Sequence, residues 1–175
     1  MSKQPGMRLE RTCPAPASVV YDLLADLRSH LEWGGTNQSA DFRLLSLDAP
    51  EGAARVGSTF SSTGSIPMSA RRWHDRSTVT VADRPSTFEF RTEASAGDTV
   101  ATYTHRYEIH PTEGGCRVTY TFTQEGIARP MLRLGLPVMR DMMWRFGIPM
   151  FAGRGFRNLL TLAQARARSV ESAVA

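Results

Sequence analysis

The stretch TVATYTHRYEIHPTEGGCRVTYTFT, residues 99–123, decides the fold. Tyr103, His105, Tyr107 and Ile109 fall on one side of a period of two, and Thr104, Arg106 and Glu108 on the other. Glu113-Gly114-Gly115 then forms a hairpin signal, after which Cys116, Val118, Tyr120 and Phe122 alternate with Arg117, Thr119, Thr121 and Thr123. Two long strands that are apolar on one face, polar on the other and joined by a tight turn make an antiparallel sheet with one wet face. The same alternation, in shorter pieces, predicts strands at Phe42 to Leu47, Arg55 to Ser61, Ala70 to Ala82 and Thr87 to Thr92. In the third piece Trp73, Val79 and Val81 alternate with Arg72, His74, Arg76, Thr78 and Thr80; in the fourth, Phe88 and Phe90 point the same way. A first strand at 7–13 makes about seven in all.

Helices flank this sheet. Pro14 and Pro16 close the first strand, and Val20, Leu23, Leu24 and Leu27 then recur at the i, i+3, i+4, i+7 spacing of one buried helical face. A second short helix, Arg28 to Trp33, is expected to end at Gly34-Gly35. After Glu125-Gly126 the period changes to that of a helix, over a segment rich in Met, Leu and Phe that Pro130, Pro137 and Pro149 interrupt. Two or three helical pieces follow from those prolines, with breaks near Leu136 and Ile148 and a continuous helix from Phe151 to about Arg168. A helix of that length, ~27 Å, can lie across the whole sheet.

With 175 residues, 41% hydrophobic and 22% charged, the chain is sized for one domain, with a core at about 7–168 and a C-terminal helical segment at about 129–168. Its net charge of +4 is unevenly spread. Residues 127–168 hold eight arginines and one acid, Asp141, a local charge of +7, so the remainder is slightly acidic. MSKQPGMRLERT at the start has no apolar run of the length a secretory signal needs, and the default compartment is the cytoplasm. There is no Walker loop, no G-x-S-x-G and no H-E-x-x-H, and the four histidines lack metal-ligand spacing, so no metal site and no cofactor is expected. The arginines are interleaved with aliphatic bulk and no recognition module is present, which argues against nucleic acid.

The order strand, two short helices, about six antiparallel strands and a long terminal helix resembles the helix-grip proteins. More closely, the chain resembles the START-like (SRPBCC) superfamily in its polyketide cyclase and dehydrase-like branch. The resemblance is carried by Arg11-Thr12-Cys13-Pro14-Ala15-Pro16, by Val19-Val20-Tyr21-Asp22-Leu23-Leu24-Ala25-Asp26, by Trp33, and by Gly57 before Phe60. Trp73 through Val79-Thr80-Val81-Ala82-Asp83, and Phe88-Glu89-Phe90, extend it. It implies an α+β fold: a curved antiparallel sheet wrapped around the C-terminal helix, enclosing an apolar cavity for a small hydrophobic ligand such as a lipid or polyketide. The segment 127–150 is longer and more apolar than that family's usual approach to the last helix.

Tyr103, His105 and Tyr107 share the face that would look into such a cavity. They could supply directional hydrogen bonds in an apolar wall, with His105 as a general acid or base if the chain is a cofactor-free cyclase or dehydratase. The plainer alternative is a hydrogen-bonded core histidine. Trp73, Phe88, Phe90, Tyr120 and Phe122 would continue the wall, and Met139, Met142 and Met143 would line it from the helical side, where Trp144, Phe146 and Phe151 have the same choice of cavity, partner or bilayer. Asp75 shares the face of Trp73, where a carboxylate must find a partner or change its pKa. A β-bulge would reverse that phase, and a surface acid at a strand end is the commoner case. Arginines 129, 133, 140, 145, 154 and 157 leave open a peripheral membrane contact through 129–157, and the same apolar segment leaves open a homodimer or a non-catalytic interaction protein with a filled cavity. Cys13 and Cys116 should lie nearly opposite each other, as reduced thiols.

Overall fold

A computed structural model describes residues 5–36, 43–65, 70, 72–97, 99–127 and 143–174. Seven strands form one antiparallel sheet: β1 (Gly6–Cys13), β2 (Leu44–Asp48), β3 (Thr59–Ser65), β4 (Arg72–Asp83), β5 (Thr87–Ala96), β6 (Thr99–Thr112) and β7 (Gly115–Ile127). Their order is β1-β7-β6-β5-β4-β3-β2, so β2 to β7 pair consecutively as a meander, and β1 forms the far edge against β7. Between β1 and β2 come α1 (Ala17–Ala25), a 3-10 turn (Leu27–Ser29) and a π-turn (Glu32–Thr36). A second π-turn (Met143–Gly147) leads directly into the long helix α2 (Ile148–Val174). This is the α+β helix-grip arrangement. Among the described residues no helix is long and apolar enough to cross a membrane.

Both helices lie on the face that carries the aromatic side chains. α1 buries Val20, Leu23 and Leu24, and sets Tyr21 edge-on against Phe88, with ring centroids 5.9 Å apart. α2 buries Phe156, Leu159, Leu160 and Ala163, one stripe at helical spacing, and rests Phe156 on Tyr107 and Tyr120. Gly153 faces β1, where a Cβ would make an ordinary contact with Leu9 at 3.6 Å. On the outer face, arginines and acids alternate and pair. Arg106 meets Glu89 at 2.9 Å, and Arg91 meets Glu125 at 2.7 Å. Such exposed pairs add little stability, but they keep that face wet.

Several boundaries differ from the sequence expectation. The third strand begins at Thr59 rather than Arg55, because residues 55–58 make a turn, with Gly57 at φ +89°. The second short helix does not stop at Gly34-Gly35; its π-turn runs through to Thr36. Near Ile148 the chain changes from π to α geometry without a break, because Pro149 sits in the first turn of α2, where a missing N–H costs nothing. The expected break near Leu136 lies outside the described residues. In β4 a bulge between Val79 and Val81 moves Val81 off the aromatic face and brings Ala82 onto it, opposite Phe88. Cys13 and Cys116 are register partners on β1 and β7, both buried free thiols, and the Cys13 thiol donates to the Leu160 carbonyl at 3.6 Å.

Candidate functional site

Register places the concave side chains in rows across the sheet. Val79, Phe90, His105, Phe122 and Met7 form one row; Ala82, Phe88, Tyr107, Tyr120 and Leu9 form the next. On the other side of the first row, towards the β5–β6 turn, polar side chains enter the rows: Ser77, Thr92, Tyr103 and Gln124 beside Phe60, then Ser62 and Asp75 beside Ala94 and Ala101. The wall therefore grades from aromatic at its middle to hydrogen-bonding at its rim.

His105 is at the centre of the aromatic part. Phe90 stacks on it at 4.5 Å, Phe122 tilts against it at 4.7 Å, and its Nδ1 is 2.9 Å from the Tyr120 hydroxyl. Tyr120 in turn stacks on Tyr107 at 4.5 Å, and the two hydroxyls are hydrogen-bonded. Burial holds the His105 imidazole neutral, with a pKa depressed to about 3, and the nearby His30 reinforces this. His30, depressed to about 4 by its own burial, donates Nε2–H to the Leu24 carbonyl at 2.9 Å and packs on the far side of Phe90. Two imidazolium ions there would be desolvated and would repel each other. At neutral pH His105 is thus an uncharged hydrogen-bonding group.

The accessible surface along this wall is uneven. Phe90, Tyr107 and Tyr120 are buried, yet His105 and Tyr103 on β6 and Phe122 on β7 keep some accessible surface. His105 is dehydrated enough to lose its charge and is still only partly buried. Trp144, from the turn before α2, stacks on Phe122 at 5.6 Å and covers the wall from the helical side.

At the rim, Ser77 and Thr92 hydroxyls bond to each other at 2.8 Å across β4 and β5, and Tyr103 bonds to Gln124 across β6 and β7. Asp75 has Ser62 as its hydrogen-bond partner; its carboxyl is pushed up to about 7 by desolvation, which the Ser62 bond only partly offsets. The strand-end surface acid expected at this position is therefore a desolvated carboxyl on the concave face. The bulge that could have reversed its phase lies beyond Val79, so the alternation from Trp73 to Val79 is unbroken. Trp73 lies over Gly64, where a Cβ would stand 1.9 Å from the indole, and donates Nε1–H to the Ser65 carbonyl at 3.1 Å.

Trp73, Phe88, Phe90, Tyr103, His105, Tyr107, Tyr120 and Phe122 are thus brought onto one face, although Phe88, Tyr107 and Tyr120 are packed into the core by α1 and α2. Met139 and Met142 lie outside the described residues, as do Arg129, Arg133 and Arg140, and Met143 is described in its backbone only. Phe146 points away from the wall and is 64% exposed, with the Arg145 guanidinium 5.7 Å from its ring centre. Sequence reasoning missed His30, which sits in irregular turns where periodicity says nothing, and Gln124 and Ser62, which are polar residues on a face read from its aromatics. Two shallow depressions, of about 280 and 350 Å³, open beside β3 to β5, one around His74, Asp75, Arg76, Glu93 and Ala94 and the other around Pro50, Thr59, Phe60, Ser61 and Arg76. The first therefore reaches the Asp75 end of the concave face, and the second reaches Phe60.

A family model described as polyketide cyclase / dehydrase and lipid transport matches residues 4–163. Solved structures share the fold across nearly the whole chain. A Rhizobium leguminosarum protein is 14% identical, with a TM-score of 0.67, over 94% of this chain and 96% of its own. A Mycobacterium smegmatis protein is 17% identical, with a TM-score of 0.64, over 93% of both chains. Ara h 8.0201 is 13% identical, with a TM-score of 0.61, over 91% of this chain and 97% of its own. No curated protein sequence matches.

Proposed function

Because the chain belongs to the polyketide cyclase / dehydrase and lipid transport family, we propose that it binds a small hydrophobic ligand, for transport or sequestration, in the space bordered by Phe122, His105 and Tyr103. The observation that carries this reading is the surface left on His105 inside a dehydrated aromatic wall. An apolar pocket with a few directed polar groups is the usual form of a small-molecule site. The test is native mass spectrometry of the chain with long-chain alcohols, sterols and polycyclic aromatic polyketides. One-to-one adducts that weaken about tenfold when Phe122→Trp fills the space support the reading; no adduct with any of the panel overturns it.

A second reading, a cofactor-free cyclase or dehydratase, is favoured by one observation: on the wall that carries the uncharged His105 imidazole, desolvation pushes the Asp75 carboxyl up to about 7. General acid–base chemistry uses groups tuned in this way. Turnover of a polyketide-like substrate that is lost in both Asp75→Asn and His105→Phe would support it; binding without turnover would sink it. A peripheral membrane contact through 129–157 draws support from Phe146 and Met150, exposed at 64% and 50% beside Arg145. Failure to float with anionic liposomes at low salt would end that proposal.

A further inference from the structure

We infer that the Asp75 end of the wall recognises the hydroxyl head of an apolar ligand and discriminates against a carboxylate head; this rests on the binding reading above. The concave face offers an aromatic floor at His105 and Phe122 and, one and two rows further towards the rim, Tyr103 with Gln124 and then Asp75 with Ser62. An apolar body lying on the floor would carry its end group to these four side chains.

Their chemistry selects what that end group is. The carboxyl of Asp75 has about four lone-pair positions, and Ser62 is its hydrogen-bond partner. Among the described residues no arginine, lysine or histidine forms an ion pair with it, although its sequence neighbours His74 and Arg76 border the same depression as Asp75. Tyr103 and Gln124 are neutral and, between them, still have donors and acceptors to offer beyond the bond they share. A ligand hydroxyl donates to Asp75 and accepts from Tyr103 or Gln124, so it satisfies both sides at once. A ligand carboxylate has no proton to donate to Asp75 and places a like charge beside it in a dehydrated setting, where such pairs are least screened. An ammonium would be attracted, but burying it against a single carboxylate must repay the dehydration of two ions.

The experiment titrates the full chain at pH 8 with three probes of the same shape: 2-naphthol, 2-naphthoate and 2-naphthylmethylammonium. Binding is followed by calorimetry. We expect naphthol to bind about tenfold or more tighter than naphthoate, the usual discrimination of a site with one mismatched polar group. Asp75→Asn, which keeps the shape and removes the charge, should bring the two within about threefold of each other. Tyr103→Phe, an independent variant should the first fail to fold, should weaken naphthol about fivefold and leave naphthoate unchanged. Equal binding of naphthol and naphthoate, a preference that survives Asp75→Asn, or tighter binding of the ammonium overturns the inference and leaves ligand binding intact. Binding of none of the three also overturns the inference, and the binding reading is then decided by the wider panel of alcohols, sterols and polyketides.

Discussion

Replacing Asp75 by Asn should make the protein more stable at pH 8 and leave it nearly unchanged at pH 4. The carboxyl is pushed up from 3.8 to about 7 by burial, so the folded chain holds this proton over a pH range in which the unfolded chain has released it. Below about pH 3.8 both states are protonated and the group costs nothing. As pH rises towards 7 the unfolded state ionises and gains hydration that the folded state cannot match, so stability falls by about 1.4 kcal/mol per pH unit. Above about 7 the loss is complete. The full interval corresponds to about 4 kcal/mol, and because Asp75 keeps some accessible surface a figure of about 2–4 kcal/mol is expected at pH 8. Asn keeps the volume and can hold the Ser62 bond, so no cavity penalty masks the gain. Urea unfolding of both proteins at pH 8 and pH 4 measures it: the midpoint should rise by about 1 M or more at pH 8 and differ by only a few tenths at pH 4. Equal midpoints at pH 8, or the same difference at both pH values, would refute the claim that dehydration sets this carboxyl.

Three further outcomes follow from the same geometry. Tyr120→Phe removes the hydroxyl shared by His105 and Tyr107 and should cost about 1–2 kcal/mol in urea unfolding, while the His105 ring, followed by NMR, should stay neutral from pH 8 down to about 5, given its pKa of about 3. Gly64→Ala drives a Cβ into the Trp73 indole and should cost about 1–3 kcal/mol, with a shift of the Trp73 indole N–H resonance as the ring leaves the Ser65 carbonyl. Cys13 and Cys116, both buried, should react with an aromatic disulfide reagent about a hundredfold more slowly in the native protein than in urea.

The sheet was legible because alternation is a direct record of which face is wet. In β6 and β7 each aromatic and each threonine or charge falls where the period of two puts it, and the hairpin at Glu113-Gly114 fixes their partners. What alternation cannot record is an inserted residue. The bulge between Val79 and Val81 left no compositional trace, so Val81 reads as inward although Ala82 takes that place, and Asp75 could not be assigned a side before the bulge was located. His30 was invisible for a related reason: 3-10 and π turns have no fixed period, so a buried histidine there looks like any polar residue in a connector. The aromatic half of the wall was therefore open to sequence reasoning. The polar half was not, because serine, threonine and glutamine on an inner face resemble the outer face of the same strands.

That polar half also separates what serves the fold from what does not. Ser77 and Thr92 satisfy each other across β4 and β5, and Tyr103 and Gln124 do so across β6 and β7. Register alone supplies these pairs, and a sheet gains from them as it does from any cross-strand pair. Asp75 is different, since Ser62 leaves most of its hydrogen-bonding capacity unused and no cation among the described residues compensates its charge. Asparagine, serine or threonine would fill the position at less cost, so folding gives no reason for a carboxyl there. A side chain that lowers stability at neutral pH and lies at the end of an aromatic wall has the properties of a binding group. A rise in stability together with a loss of head-group discrimination in Asp75→Asn would establish that trade at a single residue; a rise in stability alone would make Asp75 a cost without a function.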